Sequence, residues 1–324
     1  TLKLIDERNA LQVASGGEAV HGVTKFADWT QEEFNRLNGI KISDGMDDIY
    51  KALGKRPDET VINDVMVESA GAKALKRRRL SEDFYSCTDP PKEHANWIGK
   101  LSTSVKNQGQ CGSCWAFATV EQIESDLTRD HGVKLELAPT QLIQCDPFDG
   151  GCNGGNLESA FEYTKAVGGL SLESAYPYDA EVSSGQTGFC KPNVANGVAT
   201  VTYYSNFNDN STHPGEDTTP ACVEKDMANY MLREGPIALY VDASTWNTYT
   251  GGVMTTCGTK INHGVQAVGL NMEADVPYWI VRNSWGGDWG LNGYLYIKYG
   301  EDLCRITSNP LITLTSLTNV VDAF

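Results

Sequence analysis

The sequence predicts an α+β fold in which a helical half is followed by an antiparallel, β-barrel-like half, with a mostly helical segment in front of both. Apolar side chains recur at three- and four-residue spacing between Trp115 and Leu127, which is the pattern of a helix face that packs against a core. From Val198 onwards, short β-prone runs replace that spacing. We therefore expect the chain to change from helix to sheet near residue 200.

The N-terminal segment carries two helix signals. Residues 2–11 are typical of the tail of a polar-faced helix. Thr30 followed by Glu33 is a capping box, in which each side chain bonds the backbone N–H of the other, so a second helix is predicted to begin there. Residues 41–70 have mixed charge and weak periodicity, which predicts an extended linker. The basic run at 76–79 is either a solvated surface or a processing site.

Five β-prone runs predict the strands of the second half. They cover residues 198–204, 237–241, 265–270, 278–282 and 294–299. Between the first two, residues 206–220 are polar and contain two prolines, so we expect an exposed insertion. This insertion contains an Asn-x-Thr sequon, which makes Asn210 a candidate glycosylation site.

Composition excludes several classes of partner. The chain has 324 residues, a formal net charge of −16 and a pI of about 4.7, which argues against nucleic acid or an anionic membrane as a partner. No apolar run approaches the roughly 18 residues that a membrane span needs. The chain opens on Thr1 rather than Met and carries no signal peptide, so we expect a trimmed start.

The cysteines indicate a nucleophile. Nine is an odd number, which in a secreted protein implies disulfide pairs plus one reactive thiol. Cys114 is the candidate, because Gly109 and Gly112 permit a tight turn before it and the predicted helix starts at it. The N–H donors and positive dipole end of a helix N-terminus favour the nucleophilic thiolate. The alternatives are a redox dithiol with Cys111 and a cytosolic chain with nine reduced cysteines.

Four stretches resemble the papain-like cysteine peptidases. Cys-Gly-Ser-Cys-Trp around Cys114 is the signature of their nucleophile, with His and Asn expected about 130–150 residues downstream. This chain offers Asn-His-Gly around His263 and Asn-Ser-Trp-Gly from Asn283, the latter slightly beyond that range. A Cys-Asn-Gly-Gly block covers residues 152–155. The chain is identified as a member of that family, similar to cathepsins L and F.

The resemblance implies a catalytic set that needs no cofactor and no metal. Gln108 and the backbone N–H of Cys114 would donate to the oxyanion of the tetrahedral intermediate. His263 would stand as an imidazolium against the thiolate and then protonate the leaving amine. Asn283 would fix the orientation of that imidazole, and Trp285 would shield the hydrogen bond between them. A surface glutamine and a structural core histidine are the alternatives for the first two side chains.

The other histidines are not candidates for catalysis. They lie in polar or turn-like contexts, so we expect all four at the surface: His21, His94, His131 and His213.

The resemblance also implies a set of substrate-binding residues: Gly154, Gly155, Leu157, Tyr240, Ile261, Asn262, Trp285 and Asn309. The two glycines would expose a backbone edge to an extended peptide. The pocket for the second substrate residue (P2) would be lined by Leu157, Tyr240, Ile261 and Asn309. A carboxylate at the position of Asn309 favours a basic P2 residue in cathepsin B. Asn lacks that charge, so an apolar or aromatic P2 residue is expected.

Three disulfide bonds follow from the resemblance: Cys111–Cys152, Cys145–Cys190 and Cys257–Cys304. The remaining pair is Cys87 and Cys222. A bond between these two would tie the stretch before the usual maturation cleavage to the sheet half, so that processing would have to occur upstream of Cys87. Two free thiols are the alternative.

The stretch 22–28 is similar to the Gly-x-Asn-x-Phe-x-Asp motif of papain-family prosegments, with Thr24 in place of Asn as in cathepsin F-like ones. The resemblance implies an inhibitory prosegment over 1–86, truncated at its start, which runs through the cleft against the substrate direction. Residues 87–324 would form the peptidase domain, helical over about 100–200 and sheet-like over about 201–324 plus its own N-terminus. Protonation of Asp28 and its neighbours in acid is a hypothesis for release.

Together these features imply a monomeric cysteine endopeptidase zymogen that is secreted or resides in a lysosome-like acidic compartment. Its partners would be peptide and protein substrates, its own prosegment and cystatin-like inhibitors. No histidine lies between Cys152 and Cys190, where cathepsin B-like exopeptidases carry one in an occluding loop, so an endopeptidase is favoured. The alternatives are a catalytically weak homologue that acts as a binding protein and a prosegment that inhibits other peptidases.

Overall fold

The computed structural model describes residues 1–41, 85–191, 197–208 and 217–318. The predicted linker beyond residue 41, the basic run at 76–79, Asn210 and His213 lie outside these ranges.

The N-terminal segment, residues 1–41, forms two helices and one short strand that lie against the rest of the chain: α1 (Leu2–Ala14), β1 (Val20–His21) and α2 (Gln31–Asn35). The capping box is confirmed, because the Thr30 hydroxyl accepts from the N–H of Glu33 at 3.2 Å while the Glu33 carboxylate accepts from the N–H of Thr30 at 2.7 Å. Helix α2 buries Phe34 against Trp285, with 5.2 Å between ring centroids.

The helical half is built around one long helix. Its helices are α3 (Cys114–His131), α4 (Pro139–Cys145), α5 (Leu157–Ala166) and α6 (Ala180–Ser183). Every side chain of α3 from Cys114 to Leu127 is buried, because the helix lies between the other helices and the sheet. It ends at Gly132, whose φ of 68° is left-handed and suits glycine.

The sheet half contains more elements than the sequence predicts. Its strands are β2 (His94–Asn96), β3 (Ala199–Asn206), β4 (Ile237–Val241), β5 (Tyr249–Gly251), β6 (Val253–Met254), β7 (His263–Asn271), β8 (Tyr278–Arg282), β9 (Tyr294–Lys298) and β10 (Leu311–Leu317). The five predicted strands are present, with β4 and β8 at their predicted bounds. Strands β2, β5, β6 and β10, and helix α7 (Pro220–Arg233), are additional.

The sheet is open rather than a closed barrel within the described ranges. Strands run in the order β3-β10-β4-β7-β8-β9-β6, and β2 pairs with β7. Neighbours are antiparallel except β6 and β9, which are parallel. Because β2 pairs with β7, residues 94–96, which precede the helical half, belong to the sheet. Strand β1 of the N-terminal segment pairs separately with β5.

A buried ion pair joins the two halves. Arg282 on β8 is fully buried, with its Nε 3.4 Å from the carboxylate of Glu121 on α3. Its two terminal nitrogens donate to the Gln266 amide oxygen at 2.6 Å and to the Thr103 carbonyl at 3.0 Å. Burial raises the pKa of Glu121 to about 7, and the charges of Arg282 and Lys106 oppose that rise.

Four disulfide bonds are present in the structure, and they join the pairs that the sequence analysis names: Cys87–Cys222, Cys111–Cys152, Cys145–Cys190 and Cys257–Cys304. Cys114 is free and buried. The alternative of two free thiols at Cys87 and Cys222 is therefore not what the structure shows.

One histidine differs from expectation. His21 is buried at 3% exposure rather than lying at the surface, because β1 places it against the residues that lead into β5. Its Nδ1 lies 2.9 Å from the Thr248 hydroxyl, and its backbone N–H donates to Asn9 at 2.7 Å. By contrast, His94 is exposed and His131 is partly buried.

None of the helices in the described ranges is both long and apolar enough to cross a lipid bilayer.

Candidate active site

Cys114 is the first residue of α3 and its side chain has no solvent exposure. Its Sγ accepts a hydrogen bond from the backbone N–H of Gly39, in the N-terminal segment, at 3.2 Å. The N–H of Gly264 also bonds it. Burial raises the pKa of the thiol to about 11, although these N–H donors act in the opposite direction. While the N-terminal segment occupies this position, the thiol is therefore neutral.

His263 and Asn283 lie side by side at the ends of neighbouring strands. His263 begins β7, and its Nε2 is 2.8 Å from the Asn283 side-chain oxygen, which also accepts from the N–H of Ser284. An oxygen acceptor requires the imidazole proton on Nε2, which leaves Nδ1 as the basic nitrogen. Nδ1 has no hydrogen-bond partner among the described residues. Burial lowers the pKa of His263 to about 4, and the bond to Asn283 opposes that shift.

Two tryptophan side chains lie beside the imidazole of His263. The Trp285 ring lies 4.9 Å from the His263 ring, centroid to centroid, and the Trp246 ring lies at 6.0 Å. Both indoles are buried. Water is thereby kept from the bond between His263 and Asn283, which is the position that the sequence argument gives to Trp285. Trp289 is also buried, in contact with Trp246 and Trp285.

Gln108 is buried rather than at the surface. Its Nε2 donates to the carbonyl of Leu37, in the N-terminal segment, at 2.9 Å and to that of Cys111 at 2.8 Å. Its amide oxygen accepts from the Ser284 hydroxyl at 2.7 Å, which fixes which end of the amide points outward. Sequence reasoning missed Ser284 as an orienting residue, although it directly follows Asn283.

Residues 39–41 pair with the backbone edge at Gly155. The N–H of Gly155 donates to the carbonyl of Gly39 at 2.8 Å, and its carbonyl accepts from the N–H of Lys41 at 2.9 Å. These two bonds form a parallel bridge between Ile40 and Gly155. On the opposite side, the N–H of Ile40 donates to the carbonyl of Asn262 at 3.1 Å. The edge predicted to bind a peptide thus binds the chain's own segment.

Ile40 packs against the apolar cluster of the helical half, which contains two of the residues predicted to line the P2 pocket, Leu157 and Tyr240. The side chain of Ile261 also packs against this cluster. The Tyr240 hydroxyl accepts from the N–H of Leu157 at 2.7 Å. Ile40 and Leu157 meet beside Gly264, because a Cβ built on Gly264 would lie 3.2 Å from Ile40 Cδ1 and 3.3 Å from Leu157 Cδ1.

Asn309 joins this group through a residue that the sequence analysis missed. The two carboxylate oxygens of Glu158 accept from the Tyr240 hydroxyl and from the Asn309 amide. The carboxylate that Asn309 itself lacks is thus supplied beside it. Burial raises the pKa of Glu158, and no cation within the described ranges pairs with it. The only feature of the sequence that points to Glu158 as part of this pocket is its position directly after Leu157.

The comparisons with known proteins agree with this arrangement. The family described as papain family cysteine protease matches residues 92–314. The chain is 33% identical over 307 residues to cysteine proteinase 2 of Leishmania pifanoi, covering 92% of this chain and 60% of that protein. It is 32% identical over 322 residues to cysteine proteinase 1 of Dictyostelium discoideum, covering 94% of this chain and 81% of that protein.

Solved structures extend the likeness to the N-terminal segment. The structure of the digestive procathepsin L2 proteinase from Tenebrio molitor larval midgut aligns with a TM-score of 0.71 and 27% identity, covering 96% of this chain and 89% of that one. The family match contains Cys114, His263 and Asn283, and the procathepsin alignment reaches into the residues that precede it. The chain therefore belongs to the papain family of cysteine proteases, in its proenzyme form.

Proposed function

We propose that this chain is a cysteine endopeptidase zymogen, in which residues 1–86 form a prosegment that blocks the cleft and residues 87–324 form the peptidase domain. One observation carries the proposal: backbone groups of the prosegment hydrogen-bond both the nucleophile, Cys114, and the side-chain amide of Gln108. The N–H of Gly39 donates to Cys114 Sγ at 3.2 Å, and the carbonyl of Leu37 accepts from Gln108 Nε2 at 2.9 Å.

Removal of the prosegment would create the reactive ion pair. Burial holds the Cys114 thiol and the His263 imidazole in their neutral forms, with pKa values of about 11 and about 4. Water in the opened cleft would reduce the burial penalty on both charged forms. The proton then moves from Sγ to Nδ1 of His263, which gives a thiolate and an imidazolium. Asn283, bonded to Nε2, keeps the ring oriented during the transfer.

The thiolate then attacks the carbonyl carbon of the scissile peptide bond. Gln108 Nε2–H and the Cys114 N–H donate to the oxyanion, as the former donates to the Leu37 carbonyl in the zymogen. The imidazolium of His263 gives its proton to the leaving amine as the C–N bond breaks. Water, deprotonated by the same imidazole, hydrolyses the thioester and restores the thiol. Each acyl-enzyme thus forms and breaks without a cofactor.

The substrate would bind as an extended strand on Gly155 with an apolar or aromatic P2 side chain in the pocket of Ile40. The apolar character of Leu157, Tyr240 and Ile261 supports this preference. The Glu158 carboxyl accepts from the hydroxyl of Tyr240, and burial raises its pKa, so it loses its charge at a higher pH than a free glutamate does.

We propose acid as the trigger for release. Asp28, the carboxylate from which the sequence hypothesis starts, makes no ion pair within the described ranges. Lys25 does, with Asp288 of the peptidase domain at 2.7 Å, and this pair lowers the pKa of Asp288. A carboxylate with a lowered pKa contributes docking stability above its free pKa, about 4 for Asp, so this pair weakens only below about pH 4. The response at pH 4.5 comes instead from His21, whose pKa burial lowers to about 4. The four disulfides support a secreted or lysosome-like location.

The test is hydrolysis of a fluorogenic dipeptidyl amide with an aliphatic P2 residue, under mild reductant, after incubation at pH 4.5 or pH 7. Intact mass is read in parallel, and Cys114→Ala is the control. Activity that develops at pH 4.5 with loss of the prosegment, and that is absent from the variant, is the expected result. Full removal of the prosegment without thiol-dependent cleavage of any peptide would overturn the proposal in favour of a binding protein.

A further inference from the structure

The prosegment marks positions along the substrate cleft. Counted outward from the thiol, Gly39 lies on Cys114, Ile40 faces Gly155 in the apolar pocket, and Lys41 comes next. Because Lys41 donates its N–H to the carbonyl of Gly155, its backbone is held at a fixed distance from the thiol. On the proposed function, Lys41 therefore occupies the place of the third substrate residue from the scissile bond (P3).

The side chain of Lys41 lies in a groove that two glycines leave open. A Cβ added to Gly154 would come within 3.3 Å of Lys41 Cε, and one added to Gly150 would come within 2.9 Å of Lys41 Nζ. Any other residue at either position would press on the lysine stem or its ammonium group. The groove is thus shaped for a long side chain that ends beside Gly150.

Asp149 forms the polar wall of this groove. It directly precedes Gly150, and its Cγ lies 2.8 Å from the position of a Cβ built on Gly155. Its carboxylate accepts from the Ser159 hydroxyl at 2.7 Å and from the N–H of Asn156. These neutral donors fix the carboxylate in place without neutralising it.

The charge of Asp149 has no fixed counter-ion in the peptidase domain. Within the described ranges it makes no ion pair closer than 4 Å, and Lys41 is the cation whose charge acts on its pKa. The neighbouring Asp146 is buried and hydrogen-bonds the Asp149 side chain. Burial and the charge of Asp149 raise the pKa of Asp146 to about 8, so at pH 7 Asp146 is protonated and the pair carries one negative charge, on Asp149. Once the prosegment leaves, the groove keeps the negative charge of Asp149 and loses the ammonium group of Lys41.

We infer that Asp149, beside the open positions at Gly150 and Gly154, forms a subsite for a lysine or arginine side chain at P3 of the substrate. A cation there takes the place of the Lys41 ammonium group and restores the charge balance of the groove. The inference rests on the proposed peptidase function and adds a charge requirement that the apolar P2 pocket does not impose.

The experiment compares peptides that differ only at P3, with Lys, norleucine or Glu before a constant P2 Ile. The processed enzyme is assayed at pH 7 and low salt, because burial raises the pKa of Asp149 to about 6. We expect kcat/KM for the lysine peptide to exceed that for the norleucine peptide about three- to fivefold, the range of a partly exposed ion pair. Asp149→Asn, which keeps the acceptor for Ser159, should remove the difference, and so should molar salt.

Glu273→Gln is the matched control, since it removes an equally negative side chain that pairs with His94 at the surface. The control should keep the full lysine preference. Equal rates for lysine and norleucine in the unsubstituted enzyme, or a preference that survives in Asp149→Asn, would overturn the inference while leaving peptide cleavage itself intact.

A second measurement does not depend on catalysis. In the full-length Cys114→Ala proenzyme, Lys41→Gln and Asp149→Asn form a double-mutant cycle on the melting temperature. We expect the double variant to lose less than the sum of the single losses. Strict additivity at low salt would contradict the inference even if no peptide were cleaved.

Discussion

At the scale of single residues, the Cys114 thiol and the Gln108 amide are covered by backbone atoms of the prosegment and not by its charged side chains. Gly39 supplies an N–H to Cys114, and Leu37 supplies a carbonyl to Gln108. Backbone groups do not titrate and the Cys114 thiol is neutral in acid, so these two contacts do not change as pH falls below 7. Whatever acid changes must lie elsewhere in the prosegment, and the contacts at the thiol end only when the segment as a whole departs.

Among the described glycines, Gly39 leaves the least room for an added carbon. A Cβ there would collide with the carbonyl oxygen of Gly112. We expect Gly39→Ala to lift the prosegment from the thiol, at a cost of about 1–3 kcal/mol for forcing a well-packed contact. In the unprocessed protein at pH 7, iodoacetamide should alkylate Cys114 at least fivefold faster, followed by intact mass.

Val23→Ala is the control for this experiment, because that side chain is 68% exposed in the same segment. Its alkylation rate should equal that of the parent. An unchanged rate in Gly39→Ala would show that the segment reaches the thiol in a different register.

The pH dependence of that alkylation is a second residue-scale prediction. Burial raises the pKa of Cys114 to about 11 in the proenzyme, so at pH 8 only about one thiol in a thousand is ionised. The alkylation rate should therefore keep rising with pH up to pH 10. After processing, the same cysteine should react at near-constant rate from pH 5 upwards, because the thiolate is then paired with imidazolium. A proenzyme profile that levels off below pH 8 would contradict the assignment.

Residue types predict the chemical groups of the site but not all of their neighbours. Local motifs are enough to predict Cys114, His263 and Asn283, because the residues next to each one in the sequence already indicate its turn or strand. Glu158 does not, since its partners Tyr240 and Asn309 come from β4 and from the stretch before β10, far along the chain. A side chain's contacts across the fold leave no trace in its own neighbourhood of the sequence.

At the scale of elements, β1 and α1 hold the prosegment against the peptidase domain. Strand β1 pairs with β5, and Arg8 on α1 donates to the side chains of Asn247 and Thr248 at 2.6 Å each. His21 is enclosed between these contacts. Strand β1 and helix α1 therefore bring a titratable ring, His21, and a cation, Arg8, to the same contact.

His21 makes this contact sensitive to acid. Burial, together with the charge of Arg8, lowers the pKa of His21 to about 4 from an ordinary value near 6.5. Above pH 6.5 both the docked and the free segments are neutral there and docking is at full strength. Between pH 6.5 and 4 only the free segment takes up the proton, so docking weakens, and below pH 4 no further loss follows.

We expect His21→Gln, which keeps a partner for Thr248 but cannot titrate, to flatten this dependence. In a Cys114→Ala proenzyme, the fall in melting temperature between pH 7 and pH 4.5 should shrink by several degrees, since about 1 kcal/mol moves Tm by roughly 2–8 °C. His94→Gln, at an exposed histidine, should reproduce the parent curve. Identical curves for His21→Gln and the parent would place the acid response in carboxylates alone.

The periodicity of apolar residues predicts strands with long apolar runs, and it misses strands that form only through pairing with a distant strand. Strands β4 and β8 follow from their apolar runs. Strand β10 has an equally β-prone sequence but lies near the chain end, and its pairing with β3 joins residues more than a hundred positions apart. Strand β1 spans two residues and exists only because β5 accepts it.

At the scale of the whole molecule, the two halves are joined through a buried charge. Arg282 and Glu121 cross the boundary where the sheet meets α3. Arg282→Ala would leave Glu121 buried without its nearest cation, which costs about 3–5 kcal/mol. We expect a large drop in the urea midpoint at unchanged slope. Arg305→Ala, which removes a more exposed ion pair with Asp302, should cost less than about 1 kcal/mol; equal losses would refute the boundary role.

The stretch before the usual cleavage region also belongs to the whole molecule. Cys87 is bonded to Cys222 on α7, and Tyr85 is buried against Phe207. We expect these residues to stay with the processed enzyme. Non-reducing intact mass after acid treatment should always contain Cys87, and if a cut falls between it and His94, the small peptide should be released only by a reductant. Its loss without reductant would contradict this expectation.

The overall topology was only partly predictable. The order of cysteine, histidine and asparagine indicates the family and thereby a helical half beside a sheet half. Sequence does not reveal that the sheet stays open, because closure depends on whether strands β3 and β6, at its two edges, meet in space. Neither edge carries a local signal for or against that meeting.

The parallel alignment of residues 39–41 with Gly155 also has a consequence for how the proenzyme is activated. Because a segment bound in this direction does not present its peptide bonds to the thiol as a substrate does, we expect no molecule to cut the segment in its own cleft. Active copies should then cleave other proenzyme molecules, so that activation follows a lag that shortens as the protein concentration rises.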